Sequence, residues 1–161
     1  MKKLTFIRHG KSSWEYSVGD RERPLKSRGI TDASLVATQI KSSYLELDMV
    51  FSSPANRAHS TCQIFLKELN IASEKFKIIE DLYDFGGSNV LKFIHDLSDD
   101  LDSVMLFGHN HAFTDLVNRL GDRYIDNLPT AGLVSIGFQI EEWKYAKHGT
   151  TDHIIFPRDL K

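Results

Sequence analysis

Short apolar runs that alternate with longer helical patterns are the feature that most limits the folds open to this chain. Leu4-Thr5-Phe6-Ile7 reads as a first strand. Ser27 is placed to cap a helix from about Arg28 to Ser43, with Ile30, Ala33, Leu35-Val36-Ala37 and Ile40 tracing a buried stripe. Asp48 to Phe51 reads as a second strand, and Ser53-Pro54 as the start of a helix running to about Leu69. Its inward residues are Ala58, Cys62, Phe65, Leu66 and Leu69. Phe76 to Ile79 follows as a strand, Asn89 to Leu97 as a helix capped by Ser88, and Ser103 to Phe107 as a nearly all-apolar strand. A helix from about His111 to Leu120 ends at Gly121, and strands at Leu133 to Ile140 and His153 to Phe156 complete the pattern. Strand and helix in alternation predict an α/β fold with a mainly parallel sheet covered on both faces, its last two strands pairing antiparallel at one edge.

Length and composition narrow the functions. The 161 residues suit one domain spanning 1–161, and the four prolines sit at segment edges without marking a linker. Hydrophobic residues at 41% and charged residues at 26% exclude a disordered chain. Twenty basic against 22 acidic residues give a net charge of -2, which speaks against nucleic acid or anionic membrane as partner. A site for an anion must then be built locally. The one cysteine, Cys62, makes neither an internal disulfide nor a zinc finger. Lys2 and Lys3 precede an apolar stretch too short for a signal peptide, and no segment approaches the ~20 apolar residues of a membrane span, so the cytoplasm is expected.

Parallel sheets bind ligands beyond the carboxyl ends of their strands. Arg8-His9-Gly10-Lys11-Ser12 follows the first strand, Ser52-Ser53 and then Arg57 the second, and Gly108-His109-Asn110-His111 the fourth. If these strands are neighbours, two histidines and two arginines converge. Two guanidiniums grip a phosphoryl group and neutralise its oxygens. The helix N-terminus beside Arg57 adds donors. A neutral histidine attacks phosphorus and divides hydrolysis into two easier steps, and a second, protonated histidine would stabilise the same oxygens. Arginines in this role make a metal unnecessary. Taken singly, each residue has an ordinary reading: a loop or core histidine, a solvated helix arginine, a helix cap at His109. Together they do not.

Phe6-Ile7-Arg8-His9-Gly10 resembles the signature of the histidine phosphatase superfamily, which includes the cofactor-dependent phosphoglycerate mutases. Within it, the small SixA-type phosphohistidine phosphatases are matched by Lys11-Ser12-Ser13-Trp14, by Asp20 ahead of Arg23-Pro24-Leu25 and Arg28-Gly29, and by Ser52-Ser53-Pro54-Ala55 leading to Arg57-Ala58 and Thr61. Gly108-His109-Asn110 and the ending Phe156-Pro157-Arg158-Asp159-Leu160 continue the likeness. The resemblance implies a three-layer α/β/α, phosphoglycerate mutase-like fold. It makes His9 the nucleophile and Arg8, Arg57 and His109 the phosphate pocket, with no cofactor and no metal. It further implies a phosphorylated protein carrying phosphohistidine, such as a phosphotransfer domain, as substrate, and a monomer is expected. Mutase relatives are longer, and their first motif tends to carry Asn where this chain has Glu15.

Some residues leave alternatives open. The superfamily often supplies an acid after the third strand, and here Asp84 is the candidate, although a turn aspartate before Gly86-Gly87 is its other reading. An ester leaving group needs such an acid, whereas an imidazole leaves more readily. A phosphatase for small phosphate esters using Asp84, and a phospho-binding module without turnover, therefore remain alternatives. His109, His111 and Asp115 raise a metal reading, against which His111 reads as a rim or helix-start residue. Gly10-Lys11-Ser12 is no P-loop, because Thr5 stands where the first glycine belongs. Trp14 is expected to cover the rim, Cys62 to pack in its helix, and Glu141 to Thr150 to form a hairpin region. Attack by a neutral His9 beside a charged His109 predicts a pH optimum with a fall on either side.

Overall fold

The structure is a computed structural model and describes residues 1–43 and 46–161. Six strands form one sheet: β1 (Lys2–Arg8), β2 (Met49–Ser52), β3 (Phe76–Ile78), β4 (Ser103–Gly108), β5 (Leu133–Phe138) and β6 (Thr150–Ile155), in the order β3-β2-β4-β1-β5-β6. β1 to β4 run parallel, and β5 lies antiparallel to both β1 and β6. The helices are α1 (Ser27–Ile40), α2 (Asn56–Glu68), α3 (Ser88–His95) and α4 (Ala112–Leu120).

The pleat sorts the core into two halves. On one face Leu4 and Phe6 of β1 and Val104 and Leu106 of β4 pack with Val90, Ile94, Phe113 and Leu116 of α3 and α4. On the other, Ile7, Met105 and Phe107 pack with Ala33, Val36, Ala37, Cys62 and Phe65 of α1 and α2. A strand buried on both faces has no polar positions to alternate, which is why β1 and β4 read as continuous apolar runs. The layers are α/β/α, as expected. Cys62 is fully buried, and burial pushes its thiol up, so it packs without reacting.

Several boundaries differ from expectation for identifiable reasons. Ile30 is 50% exposed, because the α1 stripe that meets the sheet is Ala33, Val36, Ala37 and Ile40. α2 begins at Asn56 rather than Pro54: the Ser53 hydroxyl does accept the Ala55 N–H at 3.2 Å, but Ala55 is still extended. Ser88 is the first residue of α3 and not its cap. The residue before it, Gly87, has φ +106°, and the capping oxygens come from Asp84. Within 141–150, Trp143 is fully buried and donates its indole N–H to Leu101 O at 2.8 Å, so that segment is anchored in the core.

The segment after β1 leaves the sheet and returns to α1 by lying back on itself, with Lys26 N–H donating to Lys11 O at 2.8 Å. Its closest approach is between Gly29 and Lys11: a Cβ on Gly29 would lie 2.3 Å from Lys11 O, and one on Gly10 2.8 Å from Gly29 O. Backbone on both sides leaves nothing flexible to yield. Gly29→Ala should therefore destabilise by about 2 kcal/mol, a fall in Tm of roughly 4–8 °C for a chain of this size. Thermal denaturation followed by circular dichroism measures this, and an unchanged Tm would contradict the close approach.

Candidate active site

The ladders place the candidate residues. Arg8 pairs in register with Gly108, and Ser52 with Phe107. His9, Ser53 and His109 are thus the first residues beyond three adjacent parallel strands. His9 N–H donates to Gly108 O at 3.1 Å and Ser53 N–H to Phe107 O at 2.9 Å. Arg57, one turn later, projects from the start of α2. The structure brings together all four residues expected of the pocket.

Each is held from a different direction. The His9 ring, 8% exposed, meets Gly10 O at 2.7 Å through Nδ1. A carbonyl only accepts, so the proton is on Nδ1 and the Nε2 lone pair is free. Gly10 N–H in turn donates to Thr61 Oγ1 at 2.9 Å, tying this loop to α2. Arg8 donates from Nη1 to Leu128 O at 2.9 Å. Arg57 donates from Nη1 to Asp20 O at 2.6 Å and from Nη2 to Asp20 Oδ2 at 3.0 Å. His109 is wholly buried, its Nε2 2.8 Å from Ser53 Oγ, and its ring lies 5.4 Å from that of His9. Tyr83 and the half-exposed Phe85 close over His109, with ring centroids 5.4 and 5.0 Å away.

Among the described residues, five buried side-chain polar atoms lack a hydrogen-bond partner, and three of them are here: Arg8 Nε, Arg57 Nε and His109 Nδ1. Buried polar groups are nearly always satisfied. Of these, the two arginine nitrogens are donors, and leaving them without a partner suits a site for something that accepts hydrogen bonds.

The electrostatics agree. Burial first, and the Arg57 charge second, pull Arg8 below its ordinary value. His9 is lowered to about 3, mainly by burial and then by His109, Arg57 and Arg8, against a contrary pull from its bond to Gly10. His109 is also lowered to about 3, by burial, then Arg57 and Arg8, with Asp20 opposing. Burial disfavours an added proton on either histidine, and the arginine charges add to it. This runs against the expectation of a charged His109: burial, with Arg57 and Arg8 behind it, favours the neutral ring. A phosphoryl group between the arginines would pull it back upward.

Asp20 is the pocket's carboxylate. Burial raises its pKa, but hydrogen bonds from Tyr83 Oη (2.5 Å) and Arg57, the Arg57 charge and a 3.3 Å bond from Arg23 outweigh this and bring it down to about 2. It is a fixed anion and not a proton donor. Arg23 also donates to Ser12 Oγ at 2.5 Å and stacks 3.2 Å from the ring of Trp14, which is 77% exposed on the rim. Sequence reasoning had Asp20 and Ser53 in view, as part of a motif and as a helix cap, but missed their contacts with Arg57 and His109. The Leu128 carbonyl and the Tyr83 hydroxyl carried no signal at all.

Asp84, the candidate acid, is engaged at the start of α3, as its reading as a turn aspartate expects. Its Oδ1 accepts from Gly86 N–H, and its Oδ2 from Gly87, Asn89 and Val90 N–H, all at 3.0–3.1 Å. His111 is exposed ahead of α4, and Asp115 pairs with Arg119 at 3.5 Å. Among the described residues no group of three or more His, Cys, Asp or Glu is placed to hold a metal ion. No helix among them is long and apolar enough to cross a membrane.

The sequence pattern of the histidine phosphatase superfamily (branch 1) matches residues 4–90, a stretch with Arg8, His9 and Arg57 but not His109. A 2,3-bisphosphoglycerate-dependent phosphoglycerate mutase of Actinobacillus pleuropneumoniae serotype 5b (strain L20) is 40% identical over 70 residues, 42% of this chain. The chain matches 31% of that mutase's length. An uncharacterized protein of Mycobacterium tuberculosis (strain CDC 1551 / Oshkosh) is 26% identical over 137 residues, 79% of this chain and 84% of its own. Among solved structures, the protein histidine phosphatase SixA complexed with tungstate superposes with a TM-score of 0.83 over 99% of both chains, at 23% identity.

Two expected outcomes test this geometry. Asp84→Ala should cost about 1 kcal/mol by uncapping α3 while leaving catalytic turnover within a few-fold of the parent; urea unfolding and steady-state assay read the two effects separately. A collapse of turnover at unchanged stability would restore the acid role. The second concerns acid. His9 and His109 take up protons near 6.5 when unfolded but only near 3 when folded. The unfolded chain therefore binds more protons in that window, so stability holds above about pH 6.5 and is lost as pH falls toward 3. The double variant His9→Gln/His109→Gln should flatten this slope in Tm measured between pH 4 and 7.

Proposed function

The chain belongs to the histidine phosphatase superfamily, and from that membership we propose that it is a metal-independent phosphatase working through a phosphohistidine on His9, with protein-borne phosphohistidine as its substrate. One observation carries the reading. Arg8, Arg57 and His109, each with a buried nitrogen that has no hydrogen-bond partner, lie close enough to act electrostatically on His9, whose Nδ1 is already committed to Gly10 O.

In the first step the Nε2 lone pair of His9 attacks phosphorus. The new N–P bond forms as the bond to the leaving group breaks, and the three donors take the charge carried by the phosphoryl oxygens. His9 needs no deprotonation, because the pocket already holds it neutral. In the second step water attacks phosphorus, the bond to Nε2 breaks, and inorganic phosphate leaves with the proton balance met by solvent.

The leaving group decides between substrates. Asp20 is engaged with Arg57, Arg23 and Tyr83, and Asp84 with four backbone donors. An alkoxide leaving from an ester would want an acid that this arrangement does not offer. A phosphoramidate of imidazole can be protonated by solvent before it departs. The SixA structure of the same fold was solved with tungstate, a tetrahedral oxyanion, which fits a fold that can hold a phosphoryl group.

The test is turnover of a phosphohistidine-bearing phosphotransfer domain and of an aryl phosphate, each in EDTA, by the parent chain and His9→Ala. Loss of phosphohistidine that survives EDTA, and that falls roughly 10³-fold or more in His9→Ala, is the expected result. Turnover of the aryl ester alone would replace the substrate with a small ester. Phosphate binding without turnover of either would make the chain a phospho-binding module.

A further inference from the structure

The mechanism uses His109 but leaves open which of its nitrogens bears the proton, and the answer lies with its neighbour. Ser53 is fully buried at the end of β2. Among the described residues its hydroxyl oxygen has two partners, the N–H of Ala55 at 3.2 Å and Nε2 of His109 at 2.8 Å. The first is a donor, so Oγ accepts there. The hydroxyl has one proton of its own, and Nε2 is the acceptor within reach.

We propose that Ser53 is a positioning residue that donates its hydroxyl proton to Nε2 of His109, fixing the ring in the tautomer with hydrogen on Nδ1 and making Nδ1–H the donor offered to the phosphoryl group. The opposite tautomer would have Nε2–H donate to Ser53 and leave two groups unsatisfied in a buried place: the serine proton and the bare Nδ1. Such groups are costly. With the proton on Nδ1, the Ser53 hydroxyl both donates and accepts, and the one donor left over, Nδ1–H, is available for the task the pocket needs. His109 then acts as a donor without being a cation, which agrees with burial and the two arginines holding it neutral. The catalytic part of this proposal rests on the phosphatase reading; the tautomer itself does not.

The experiment is long-range ¹H–¹⁵N correlation on the full chain labelled at histidine nitrogens, with inorganic phosphate as the probe. His109 should show a protonated Nδ1 and a bare Nε2 at pH 7. In Ser53→Ala the ring should shift toward the Nε2–H form that free imidazole side chains prefer, with kcat down roughly 10–100-fold and KM moving less. Ser53→Thr, which keeps the hydroxyl, should restore both the spectrum and most of kcat. A proton on Nε2 in the parent chain, or an unchanged Nδ1–H in a folded Ser53→Ala, overturns the proposal. If Nδ1–H is found as expected but phosphate moves no His109 signal, the serine lock stands and the phosphatase reading of the pocket falls instead.

Discussion

The pocket depends on the register of two parallel ladders. β4 lies between β1 and β2, and its last residues, Phe107 and Gly108, stand opposite Ser52 and Arg8. That alignment ends three strands at one level, so the residues following each of them meet. A slip of one residue would turn every side chain to the opposite face and send Leu4 and Phe6 out of the half of the core that α3 and α4 cover. The hydrophobic sorting that stabilises the fold is thus the same constraint that aims His9, Ser53 and His109 at a common edge. The loops add little freedom, since Thr61 on α2 holds Gly10 and the Lys26–Lys11 contact brings the excursion after β1 back to the start of α1.

That edge is then filled with more positive charge than it can neutralise alone. Arg8, Arg57 and Arg23 gather there, and Asp20 offsets part of their charge while orienting Arg57 through two contacts. Burial first, and this positive charge after it, drive both histidines well below their ordinary range. The consequence is a change from the simplest two-histidine scheme. A pH optimum with His9 neutral and His109 charged requires their titrations to lie apart around neutrality, and here both lie near the same low value. Over ordinary pH both rings are neutral, and what distinguishes them is hydrogen bonding: Gly10 O directs the free lone pair of His9 to Nε2, and Ser53 directs the proton of His109.

The sequence made the architecture legible because its signals were local and redundant. Apolar runs bounded by polar turns marked all six strands, and the residues following β1, β2 and β4 marked the site before any geometry was known. What stayed hidden depended on approach from distant parts of the chain. Leu128 O reaches Arg8 from 120 residues away, and Ser53 meets His109 across 56. Asp84 was ambiguous for a related reason. An aspartate before Gly86-Gly87 fits a turn or a catalytic acid equally well, and only the backbone donors of Gly87, Asn89 and Val90, gathered by the start of α3, separate the two. Ile30 was misassigned because a helix with apolar residues on more than one side does not announce which of them meets the sheet.

On the phosphatase reading, the question of a general acid turns on how the described residues engage the carboxylates of Asp20 and Asp84. Asp20 must stay ionised to hold Arg57, and the 2.5 Å bond from Tyr83 helps to keep it so. Protonating it to serve a leaving group would remove the counter-ion at the moment when Arg57 is needed for the phosphoryl oxygens. The two duties are incompatible in one residue. Because Asp84 is bound into the α3 cap, a general acid would have to come from the substrate side or from solvent. A leaving group that accepts its proton from water satisfies that requirement, and imidazole does so far more readily than an alkoxide. On the phosphatase reading proposed above, a preference for phosphohistidine would follow from using Asp20 to position an arginine.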